Sequence, residues 1–142
     1  MNPFGFLYRH RLLNWAFVVI YALAIFYFSS KPAADLPSTP VSMPWLHLAE
    51  YFGFGLMLLP LVKSSSKGNY LAFSFILLAA YAASDEIHQY VVPGREMDLY
   101  DWLVDCLGGL LGLFLSKKAL ILSHEVPEGR GGKCRGRKKK AY

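Results

Sequence analysis

His47, Glu50 and Tyr51 are spaced i, i+3, i+4, so a helix through them carries all three on one face. A second set, Asp85-Glu86-Ile87-His88-Gln89, closes an apolar run; Asp85, His88 and Gln89 share a face there, with Glu86 beside it. The turn VVPGR follows, breaking a helix at Pro93-Gly94 and presenting Arg95. Beyond it Asp98, Asp101 and Asp105 stand three and four residues apart, on a stripe that continues through Gly108 and Gly112. Carboxylates and imidazoles grouped in this way do general acid–base work or hold a divalent cation. An arginine among them suits a phosphate, or neutralises the acids. Seven acids, counting Glu96, face one arginine and two histidines. Such an excess calls for protonated carboxyls, a bound divalent cation or a cationic ligand.

On these grounds Glu86, Asp101 and His88 are the candidate catalytic residues. His47, Glu50, Tyr51, Asp85, Gln89, Arg95, Asp98 and Asp105 are the candidate ligand-binding residues. Gly108-x-x-x-Gly112 is a helix-packing motif, because residues without bulk let two helices approach closely. Each piece also has a plainer reading. His47 by itself reads as a packing residue, Asp85 and Glu86 as solvated acids, and Asp98 and Asp101 as first-turn carboxylates suited to a helix N-terminus. Polar faces on three helices together are what point to a site.

The elements that must position these residues are four apolar segments. They run from about Leu12 to Phe28, Trp45 to Val62, Tyr70 to Ile87, and Leu99 to Leu115 or Leu122. Each approaches the 17–25 residues that carry a helix across a hydrocarbon core, and none alternates as a strand would. The expected fold is therefore all-α, a four-helix transmembrane bundle. Charged groups facing lipid would cost several kcal/mol each, so the three polar faces should turn inward on one another.

Composition agrees. The 142 residues are 54% hydrophobic and 18% charged, with a mean hydropathy of +0.30; a soluble domain carries roughly 25% charged residues. Thirteen of the 15 Lys and Arg fall in the N-terminal flank, the loop 63–69 and the C-terminal flank, and only Lys31 and Arg95 fall opposite. By the positive-inside bias both termini are cytoplasmic, and the localisation expected is a bacterial inner membrane. The first segment is longer than a signal-peptide core and lacks a small-x-small site after it, so it reads as a retained helix. Cys106 and Cys134 are separated by the topology and form no disulfide framework.

Three regions result: a basic N-terminus (1–11), a membrane domain (12–122) and a disordered basic tail (123–142). The tail, GRGGKCRGRKKK over 129–140, suits anionic lipid at the cytoplasmic leaflet. No nucleic-acid reader accompanies it, so the expected partners are the bilayer, an envelope lipid intermediate and, through the GxxxG face, a second copy of the chain.

Taken together, His47-x-x-Glu50-Tyr51, Asp85-Glu86-Ile87-His88-Gln89, Pro93-Gly94-Arg95 and Asp101-x-x-x-Asp105-x-x-Gly108-x-x-x-Gly112 resemble the VanZ-like family of small bacterial membrane proteins. The resemblance covers about residues 12–115. It departs at Met43-Pro44, where the family often has Asp-Lys, and at Asp105, where it often has Asn; the second makes this chain's cluster more acidic. The resemblance implies a four-span envelope protein, some of whose relatives are associated with low-level resistance to teicoplanin-type glycopeptides. Three functions follow as expectations: a binder or modulator of a phosphate-bearing lipid-linked component, an enzyme on such a lipid with an Asp/Glu/His set and a divalent cation, and a proton-coupled carrier.

Overall fold

The computed structural model describes residues 10–35, 43–65 and 68–125. Among these residues there are four long helices and no strand: α1 (Arg11–Ser29), α2 (Met43–Ser65), α3 (Tyr70–Gln89) and α4 (Leu99–Glu125). A single 3-10 turn, Ala33–Asp35, follows α1. Local chemistry sets the boundaries. Asn69 caps α3, its side chain accepting from Ala72 N at 3.3 Å; Asp98 Oδ1 accepts from Tyr100 N at 2.8 Å at the start of α4. Between α3 and α4 the chain reverses through Pro93-Gly94, with Gly94 at φ 76°, a conformation that side chains disfavour.

The tightest contact is between α2 and α4. A Cβ on Gly108 would collide with the carbonyl of Leu48, one on Gly112 with the carbonyl of Phe52, and one on Gly55 with the carbonyl of Gly109. One turn further on, Ser116 Oγ donates at 3.0 Å to the carbonyl of Leu56. That carbonyl is the one whose helical donor is missing, because Pro60 lies inside α2 and has no N–H to offer it. Positions 48, 52 and 56 thus meet 108, 112 and 116 in the same rising order. The two helices run parallel along a four-residue seam of small residues.

Hydroxyl and indole bonds to backbone carbonyls tie the other helices to this pair and to each other. Tyr21 Oη donates to Glu50 O at 2.9 Å, in space left by Gly53; Tyr81 Oη donates to Ala22 O at 2.6 Å, and Trp102 Nε1 to Ala79 O at 3.1 Å. The core consists of Tyr51, Leu59, Leu78, Leu113 and Leu120 with Val18, Ile25 and Phe54 around them. α1 is an integral part of this packing.

Among the described residues, three helices are long and apolar enough to cross a membrane: α1, α2 from Pro44, and α3. The expected fourth span, α4, is not among them; it is 27 residues long but carries Asp101, Asp105, Lys117 and Lys118. The outside of the helices is nevertheless largely apolar. Ile20 and Leu23 are each 62% exposed, and Leu103, Leu107, Leu111 and Phe114 form an exposed stripe on α4. Surfaces of this kind and extent face an apolar medium, not water.

The face of the GxxxG motif is covered by α2 of the same chain. Residues 126–142 of the basic tail, Arg9, Lys67 and Cys134 lie outside the described residues, while residues 123–125, expected in the disordered tail, continue α4; Cys106 is buried and free.

Candidate functional site

The seam of small residues ends, one turn before Gly108, at Asp105. Because α2 lies so close there, the residue preceding Leu48 meets it: His47 Nδ1 is 3.1 Å from Asp105 Oδ1. Both are buried, Asp105 completely. Glu86 reaches the same spot from α3. One ligand atom from each of His47, Glu86 and Asp105 falls within 4.8 Å of the other two. Glu86 Oε2 accepts from Asp98 N at 2.9 Å, which ties the end of α3 to the start of α4. Asp101 lies within electrostatic reach of all three. It is partly exposed, one turn above Asp105.

A second group lies against α1. Arg95 Nη2 donates to Gln89 Oε1 at 2.6 Å, and Gln89 Nε2 donates to Ser29 Oγ at 2.8 Å. Ser29 Oγ donates in turn to Asp85 Oδ2 at 2.7 Å. The result is one directional chain of hydrogen bonds from a cation to a buried anion, a geometry in which each bond polarises the next. His88 sits beside it, stacked on Phe26 with ring centroids 4.3 Å apart. Ser30 Oγ spends its proton on Phe26 O at 2.6 Å and therefore accepts from His88 Nε2 at 2.9 Å.

Adjacent acids on α3 thus serve different neighbours. A step of one residue turns a helix by about 100°, so Asp85 and Gln89 point at α1 while Glu86 points at α2 and α4. Between the two groups lie Tyr51 and Glu50. Tyr51 is fully buried, its hydroxyl has no partner among the described residues, and Asp85, Asp105 and Glu50 lie within electrostatic reach of it. Glu50 is half-buried within electrostatic reach of His47, Asp85, Asp105 and Arg95.

The placements sort the candidates. His47, Glu86, Asp105 and Asp101 form one group; Asp85, Gln89 and Arg95 form the other; Glu50 and Tyr51 stand between. His88 is engaged with α1 and not with the α4 aspartates. Asp98 is exposed, and its carboxylate is occupied in capping α4. Two site residues escape a reading of the sequence, Ser29 and Ser30. The only signal for them is a pair of hydroxyls at the end of an otherwise apolar run.

Three buried carboxylates share one feature. Asp85, Glu86 and Asp105 each have one oxygen engaged, while Asp85 Oδ1, Glu86 Oε1 and Asp105 Oδ2 have no partner among the described residues. A buried acceptor left unpaired costs free energy, about 1–3 kcal/mol for a neutral group and more for a charged one. Glu86 is also reachable. With Asp98 it borders a groove of about 300 Å³ whose other walls are Ala83, Ile87, Met97, Leu99 and Trp102.

No curated protein and no solved structure matches the chain significantly. The family model described as VanZ/LLP1 matches residues 14–122, a stretch that holds α2, α3, most of α1 and α4, both polar groups and the glycine seam. The chain belongs to the VanZ/LLP1 family of membrane proteins.

Proposed function

We propose that this protein binds a phosphate-bearing, lipid-linked component of the cell envelope at the polar end of its helix bundle. The observation that carries this reading is the groove at Glu86. Its walls are mostly apolar, and Glu86, which lines it, belongs to the buried His47–Glu86–Asp105 group. A ligand with a hydrocarbon chain and a polar head fits that sequence of surfaces; a small water-soluble solute does not need the first half of it. Arg95 supplies a guanidinium whose only hydrogen bond among the described residues goes to Gln89. Its remaining donors suit a phosphate.

The topology that goes with this function has α4 as a fourth span, supported by its exposed apolar stripe and by its parallel packing on α2. The polar end then faces outward, with both termini in the cytoplasm, as the distribution of Lys and Arg requires. Full-length protein in lipid nanodiscs tests the ligand class. It should bind a long-chain polyprenyl phosphate more tightly than the alcohol of the same chain, and equal affinity for the two overturns the reading.

A further inference from the structure

We propose that His47, Glu86 and Asp105 hold a divalent cation of the zinc or manganese kind, and that its open positions take the phosphate oxygens of the ligand. The inference rests on the lipid-phosphate reading for the second half only. The first half stands on the site's own geometry.

A metal ion draws its protein ligands to within about 2.0–2.3 Å of itself, which places them a few ångströms from one another. One nitrogen or oxygen from each of the three residues already lies within 4.8 Å of the others. The three come from three different helices. The spacing is therefore imposed by the fold, through the glycine seam for His47 and Asp105 and through the Asp98 N–H bond for Glu86. Asp105 Oδ2 and Glu86 Oε1, of residues 0% and 3% exposed, have no hydrogen-bond partner among the described residues. Two unpaired buried carboxylate oxygens next to an imidazole lack a cation, not another acceptor.

The donor set narrows the choice of ion. Calcium and magnesium take oxygen ligands, whereas imidazole suits zinc and its first-row neighbours, and carboxylates extend that range to manganese. Three protein ligands leave at least one coordination position open, as metal sites that act on a bound molecule do. Those positions face a practical problem that the cation itself resolves. Phosphate approaching Glu86, Asp101 and Asp105 meets negative charge, and Arg95 alone does not offset it. A dication between the carboxylates and the phosphate turns that repulsion into attraction from both sides. The groove at Glu86 supplies the approach.

The test uses the full chain, purified in detergent and stripped with chelator, then titrated with Zn²⁺ and Mn²⁺. One ion per chain should bind and raise the unfolding midpoint, since a ligand that binds only the folded state stabilises it. His47→Ala and the near-isosteric Glu86→Gln should each weaken binding by about tenfold or more and abolish the metal-dependent rise in midpoint. Glu86→Gln keeps the experiment decisive if His47→Ala does not fold. The proposal is overturned if no saturable binding is seen, or if both variants bind the ion as the parent does, which would place it on the tail or another histidine. Polyprenyl phosphate binding measured with and without chelator separates the two readings. Affinity unchanged by chelator removes the metal's role and leaves the lipid site standing, whereas metal binding with no preference for phosphate over alcohol removes the lipid site and leaves the metal.

Discussion

His47 on α2 and Asp105 on α4 lie 3.1 Å apart, both buried, one turn before the glycine seam that brings their helices together. Removing one member of a buried pair leaves an uncompensated charge, and breaking such a pair costs about 3–5 kcal/mol. Replacing both with apolar residues removes the desolvation penalty as well and is often neutral. His47→Ala should therefore lower the unfolding midpoint far more than the double change His47→Leu with Asp105→Leu. Denaturation of the three proteins in the same detergent decides this, and a double variant no better than the single one contradicts it.

Gly108 and Gly112 have no room for a methyl group against the Leu48 and Phe52 carbonyls. Overpacking of this kind costs about 1–3 kcal/mol, and here it also pushes His47 away from Asp105. Gly112→Ala should reduce stability, and Gly108→Ala should reduce both stability and ligand affinity. If both variants unfold at the parent midpoint, the close approach of the two helices is wrong.

Arg95→Ala should weaken binding of a phosphate-bearing lipid and also lower stability by about 1–3 kcal/mol, because it leaves the buried Gln89 Oε1 without its partner. Arg95→Lys should recover part of the affinity, since a point charge replaces a fork. Binding by the alanine variant equal to that of the parent would show that the guanidinium does not touch the ligand.

Asn14 is fully buried on α1, and neither atom of its amide has a partner. An apolar side chain of similar volume relieves that cost, so Asn14→Leu should raise stability by about 1 kcal/mol. A drop in midpoint would mean that the amide is engaged.

The orientation can be read with single cysteines in a background lacking Cys106 and Cys134. Glu96→Cys should react with an impermeant thiol reagent on intact cells, and Asn69→Cys only after permeabilisation. The opposite pattern inverts the topology.

Much of this was legible along the chain. Apolar runs of bilayer length mark the helices to within a few residues, because a span must satisfy its own backbone and pair its apolar side chains with lipid. Spacings of three and four put His47 with Tyr51 and Asp101 with Asp105, since the helical period alone dictates which side chains share a face. The sidedness of Lys and Arg separates one end from the other. What the period does not contain is how far each helix is turned about its own axis relative to its neighbours. That rotation comes from long-range fits: Gly108, Gly112 and Ser116 against the carbonyls of Leu48, Phe52 and Leu56, with Pro60 providing the free one. It sends Glu86 to His47 and Asp85 to Ser29, engages His88 with Phe26, and uses the GxxxG face inside one chain. Local order thus named the acids, and only packing between helices chose their partners.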